Sequence, residues 1–125
     1  MDINRLFNID GKTALITGGS RGIGEMIAAG FLANGVKVYI TARKEAPLIE
    51  KAKELSEKFS GECIAIPCDL SNMEGIQKLA SDYLNHEDSL DILVNNAGAA
   101  WGEPYENFSE TVSYTHLRAH ETTSD

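Results

Sequence analysis

The chain has 125 residues, 42% hydrophobic and 24% charged, a composition that fits one globular domain. Its net charge of −8 repels polyanions, which argues against nucleic acid and anionic membrane as partners and means that any bound anion needs a local positive feature. The opening MDINRLFNIDGK carries charges without an apolar core and does not read as a signal peptide, no run approaches the ~20 apolar residues that span a bilayer, and the cytoplasm is the expected location.

TALIT (Thr13–Thr17) is a short apolar run that ends in glycines, which predicts a buried strand. Ile23, Ile27 and Phe31 follow at helical spacing as far as Asn34-Gly35, a stop signal. VKVYIT (36–41) predicts a second strand. Leu48, Ala52, Leu55 and Phe59 then share one helix face, with Pro47 tolerated in the first turn and Gly61 closing the helix. ECIAIP (62–67) predicts a third strand. Cys63 and Cys68 form neither a disulfide framework nor a zinc pattern and read as buried thiols in a reducing compartment. Ser71 with Glu74 makes a capping box, followed by an apolar stripe of Ile76, Leu79, Ala80, Tyr83 and Leu84. LDILV (90–94) predicts a fourth strand, and NNAG follows directly. Strands alternating with helices imply an α/β fold, a doubly wound parallel sheet joined by right-handed crossovers.

Chemistry concentrates at TGGSRGIG (17–24), between the first strand and the first helix. A glycine trio that leaves a strand and opens a helix inside a βαβ unit is the signature of a dinucleotide diphosphate site. Gly18 permits the tight turn, Gly22 lets backbone amides approach the diphosphate, and Gly24 allows close helix packing. Ser20, Arg21 and Ile23 bring their amides to the same anion. The helix start adds about half a positive charge, which supplies the local positive feature. The bland alternative is an ordinary glycine-rich turn. After the second strand comes Thr41-Ala42-Arg43-Lys44, with no carboxylate before Glu45 to bond a ribose 2′-hydroxyl. Ala42 leaves room for a phosphate, and Arg43 with Arg21 can pair with it, which favours NADP over NAD. The bland alternative for Arg43 is a solvated strand-end residue.

TGGSRGIG, CDL (68–70) and NNAG (95–98) together resemble the short-chain dehydrogenase/reductase family, over about residues 3–111. ITAR and NNAGAAWGEPYENFSE extend the likeness to 3-oxoacyl (β-ketoacyl) reductases of the rhamnolipid-pathway type. The resemblance implies a Rossmann fold, NADP as cofactor, and a small-molecule ketone as substrate, here an acyl thioester. It implies that Asp69 accepts from the adenine amino group with the Leu70 amide beside it. Asn96, Ala97 and Gly98 would line the adenosine ribose side, and Asn95 would tie the fourth strand to its neighbours. Asp69 has a plain alternative as a charge at a helix start. Trp101 and Tyr105 follow in a loop, as packing residues or substrate contacts. A homo-oligomeric parent is expected.

The family's hydride transfer uses a tyrosine acid, a lysine four residues on, and a serine, all after a fifth strand. Tyr114 stands only 16 residues past Gly98, too few for a helix, a strand and their loops. Arg118 replaces the lysine with a planar fork, and Ser113 is adjacent to the tyrosine. No catalytic residue is therefore expected here. VSYTHLRAHETTSD (112–125) resembles read-through of a sequencing adapter and is expected to be a non-native tail, so His116 and His120 are not read as a metal pair. The expectation is residues 1–111 as the N-terminal half of a Rossmann domain, truncated after the fourth strand, inactive and marginally stable, with that strand left as an apolar edge. The alternatives are a sugar, polyol or steroid dehydrogenase of the same family, a non-catalytic NADPH-binding module, or an epimerase-type relative.

Overall fold

The computed structural model describes residues 3–96. Four strands form one parallel sheet: β1 (Thr13–Thr17), β2 (Lys37–Thr41), β3 (Cys63–Ala65) and β4 (Ile92–Val94), in the spatial order β3-β2-β1-β4. Three long helices make the crossovers: α2 (Gly22–Ala33), α3 (Glu45–Phe59) and α4 (Met73–Leu84). A four-residue helix, α1 (Ile3–Leu6), precedes the sheet and carried no periodic signal in the sequence.

The pleat splits the core in two, because successive side chains of a strand face opposite ways. Ala14 and Ile16 of β1 join Val38 and Ile40 of β2 against Ala28 and Leu32 of α2 and Leu48, Ala52 and Leu55 of α3. Leu15 and Tyr39 face the other way, onto Leu79 and Tyr83 of α4. Both faces of the sheet are thus covered, as short, almost wholly apolar parallel strands require. The Tyr39 and Tyr83 rings meet edge-on at 5.0 Å.

One polar cluster closes the amino-terminal edge of the sheet. Glu87, just past α4, accepts the Tyr39 hydroxyl and pairs with Lys37 Nζ at 2.7 Å. The Lys37 and Tyr39 contacts hold the Glu87 carboxyl below its usual range. Burial, reinforced by Glu87, pushes the Tyr39 phenol up to about 12. Asp91 Oδ2 accepts the Thr13 N–H at 2.9 Å and so sets the entry of β4 beside β1.

Several local expectations need correction. On α2 the buried line is Gly24, Ala28 and Leu32, whereas Ile27 and Phe31 are only partly buried and Ile23 is 67% exposed. Small residues let this helix lie close to the sheet, so the larger apolar side chains flank the contact. Ser60, at φ 52, ends α3 in the left-handed conformation, one residue before the expected Gly61. The cap of α4 is Asn72, whose Oδ1 accepts the Gly75 N–H at 2.8 Å. The Ser71 amide is already bonded to Asp69 Oδ1 at 2.9 Å, so the chain turns into the helix one residue later than a Ser71 cap requires.

Of the α4 stripe, Leu79 and Tyr83 are buried. The whole stripe, Ile76 and Leu84 included, lines a groove of about 320 Å³ between α4 and β4, with Leu70, Leu90 and Leu93. Among the described residues β4 pairs with β1 alone, and its three residues are half-buried, so it is the edge expected. No helix is long and apolar enough to cross a membrane, and no metal-ligand cluster occurs, among the described residues. Cys63 and Cys68 are buried free thiols.

Candidate cofactor site

The sequence order and the spatial order of the strands differ at one place. From β1 the chain moves outward to β2 and β3, then returns to place β4 on the other side of β1. The carboxyl ends of β1 and β4 therefore flank a switch point, where open α/β sheets form a crevice. The glycine turn leaves β1 there, and Asn95 and Asn96 leave β4 there.

The turn owes its shape to glycine at specific positions. Gly18 has φ 70 and Gly22 has φ 61, both in the left-handed region. An added Cβ at Gly22 would meet nothing within 4 Å, so its side faces open space. Gly24 is different: its Cβ would lie 2.1 Å from the Gly18 carbonyl oxygen and 2.9 Å from Asn96 Nδ2. Gly24 therefore packs the helix start against the turn and against β4 rather than against the sheet alone.

Arg21 is the N-cap of α2 and makes no side-chain cap hydrogen bond. The first-turn amides consequently have no capping side chain, which is the arrangement that accepts an anion. Ser20 is half-buried, and Arg21, Gly22 and Ile23 are exposed beside it.

The crevice is tied together from β1. Thr17 Oγ1 accepts the Asn96 N–H at 2.7 Å and lies 3.2 Å from Asn95 Oδ1. Asn96 Nδ2 donates to the Gly18 carbonyl at 3.4 Å. Asn95 thus joins β4 to its neighbour as expected, and Asn96 fastens the glycine turn as well.

Arg43 stands exposed past the end of β2, and Asp69 stands exposed past the end of β3. Neither Arg21 nor Arg43 forms an ion pair among the described residues. Two hydrogen bonds from Ser71 hold the Asp69 carboxyl below its usual range, and the Arg43 charge adds to this. Leu70 is half-buried and also borders the α4 groove. The structure thus brings ten expected contacts to one edge of the sheet: Gly18, Ser20, Arg21, Gly22, Ile23, Gly24, Arg43, Asp69, Leu70 and Asn96. Ala97 and Gly98 lie outside the described residues, as do Trp101, Tyr105, Ser113, Tyr114, His116, Arg118 and His120.

Three residues of this edge escaped the sequence reading. Thr17 opens the glycine motif, but nothing in its spacing announces a bond to residues 78 and 79 positions away. Gly19 is buried, and a Cβ there would lie 2.5 Å from Ile40 Cγ2. Gly75 follows the misassigned capping box and packs on the Asp69 backbone.

The family described as short chain dehydrogenase has a sequence model that matches residues 12–118. The rhamnolipids biosynthesis 3-oxoacyl-[acyl-carrier-protein] reductase of Pseudomonas aeruginosa is 47% identical over 102 residues, 82% of this chain and 39% of that protein. An RhlG/NADP active-site complex from the same organism superposes with TM-score 0.70 at 49% identity, over 74% of this chain and 36% of that one. L-sorbose reductase from Gluconobacter frateurii, in complex with NADPH and L-sorbose, gives TM-score 0.73 at 34% identity, over 92% of this chain and 45% of that one. The chain thus spans between 36% and 45% of the length of these relatives.

Proposed function

This chain belongs to the short chain dehydrogenase family, and on that premise we propose that it is the NADP-holding half of an oxidoreductase. The parent reduces a ketone, a 3-oxoacyl thioester, by hydride transfer from NADPH. The observation that carries the reading is the convergence at the switch point. An uncapped helix start, two left-handed glycines and two arginines without an ion pair among the described residues lie on one edge of an otherwise acidic chain. The turn amides take the diphosphate, Arg21 and Arg43 take the 2′-phosphate, and Asp69, Leu70 and Asn96 take the adenosine. Ala97 and Gly98 continue that last contact. Bound there, the cofactor supplies the hydride.

The choice of an acyl thioester rests on the 47% identity to the 3-oxoacyl reductase. A sugar or polyol substrate is the second reading, favoured by the L-sorbose reductase likeness. In the 125 residues no tyrosine has a lysine four positions on: Tyr39, Tyr83, Tyr105 and Tyr114 are followed there by Arg43, Glu87, Ser109 and Arg118. The chain itself therefore binds without turnover, and residues 112–125 are read as non-native. The parent is a cytoplasmic homo-oligomer, a location that the two free buried thiols favour.

Titration of the chain with NADPH and NADH, for the parent sequence and for Arg43→Ala, tests the cofactor. NADPH binds more tightly to the parent sequence, and loss of Arg43 removes about 10–100-fold of that preference. Equal affinity for the two cofactors would remove the case for NADP.

A further inference from the structure

The loop between β3 and α4 holds one carboxylate in place, and a glycine of the helix fixes where that loop can lie. Asp69 Oδ1 accepts the Ser71 N–H at 2.9 Å, so the side chain is pinned to its own turn. Three residues after Asp69, Asn72 Oδ1 accepts the Gly75 N–H at 2.8 Å and anchors the first turn of α4 beneath that loop. Between these two bonds the backbone approach is extreme. A Cβ on Gly75 would lie 1.5 Å from the Asp69 carbonyl oxygen and 2.7 Å from its carbon. A carbon and an oxygen that touch without bonding stay about 3.3–3.6 Å apart. Any side chain at 75 must therefore drive the Asp69 peptide and α4 apart by roughly 2 Å. Both blocking atoms are backbone, so no rotamer change relieves the clash. Gly30 of α2, with nothing within 4 Å, shows that this constraint does not apply to every helix glycine.

We propose that Gly75, secured by Asn72, is a positioning residue for Asp69 on the adenosine side of the cofactor site. This rests on the reading above, in which Asp69 accepts from the adenine. Gly75 itself touches no cofactor. It acts through the peptide of Asp69, whose displacement carries the pinned carboxylate away from the adenine position. The side chain of Asp69 is exposed, so the carboxylate itself has no core contact to lose.

The test uses the whole chain titrated with NADPH, with Gly75→Ala, Asp69→Ala, the two together, Asn72→Ala and Asn72→Asp. Each single variant at 69 or 75 weakens NADPH by about tenfold or more, as expected for losing a hydrogen bond to a charged group. The double variant binds no worse than the weaker single variant, because Gly75 has nothing left to position. Asn72→Ala weakens binding, and Asn72→Asp, which keeps an acceptor for the Gly75 amide, restores it. Losses at 69 and 75 that multiply in the double variant would overturn the proposal, as would Gly75→Ala binding like the parent sequence. If Gly75→Ala does not fold, the Asn72 pair decides, and failure of Asn72→Asp to recover binding counts against the proposal. Normal binding by Asp69→Ala overturns the adenine role of Asp69 and the positioning role together. Weak binding by Asp69→Ala beside normal binding by Gly75→Ala overturns the positioning role alone.

Discussion

Replacing Gly24 by alanine separates packing from helix propensity. Both Gly24 and Gly30 lie within α2, so alanine at either gains up to about 1 kcal/mol of helix propensity. At Gly30 the new methyl meets nothing within 4 Å, and the gain should appear in full, about 0.5–1 kcal/mol. At Gly24 the methyl would sit 2.1 Å from the Gly18 carbonyl oxygen, so the turn must move by more than 1 Å. Overpacking of this kind costs about 1–3 kcal/mol. The propensity gain is common to both variants, so the difference between them isolates the clash. Urea denaturation should place Gly24→Ala about 1–3 kcal/mol below Gly30→Ala. The same displacement carries the turn amides off the diphosphate, so NADPH affinity falls by about 10–100-fold in Gly24→Ala and stays unchanged in Gly30→Ala. Equal urea midpoints for the two variants would refute the close approach of helix and turn.

Glu87→Gln removes the carboxylate that joins Tyr39 and Lys37, and should cost about 1–3 kcal/mol near neutral pH. The folded Glu87 carboxyl sits below its usual range. Its contribution is therefore complete above the ordinary carboxylate pKa and is lost as pH falls through the lower, folded value. Stability of the parent sequence should fall more steeply over that acid window than stability of the variant; parallel profiles would show that Glu87 is not the linked group. Burial pushes the Cys63 thiol up to about 12. Iodoacetamide at pH 8 should leave Cys63 unmodified in the native chain and label it in urea, read by mass spectrometry; native labelling at the rate of a free thiol would contradict the buried placement.

Much of the architecture was legible because its signals are local. Four apolar runs alternating with three helical periods can be arranged as a parallel sheet in few ways once crossovers are right-handed. The glycine turn was legible for the same reason, since its φ values of 70 and 61 are demanded within one short stretch of chain. Capping was harder. Ser71 and Asn72 are both good N-caps, and only the prior claim of Asp69 on the Ser71 amide selects Asn72. The helical spacing of Ile23, Ile27 and Phe31 marked α2 correctly, but its buried line of Gly24, Ala28 and Leu32 was not legible, because glycine and alanine carry little hydrophobic signal, yet they are what a close helix contact needs.

The residue order alone decided the α/β class, the glycine turn at the switch point, and two arginines where a carboxylate for the ribose 2′-hydroxyl is absent, since each depends on neighbours along the chain. Tertiary structure decided which of the apolar residues are core, how Thr17 reaches across to Asn95 and Asn96, and why Gly24 and Gly75 admit no side chain. Those properties depend on distances between segments far apart in sequence, as between Thr17 and Asn96, or between loop and helix backbones folded onto each other. Pattern along a chain carries no measure of such distances until the strands and helices pack.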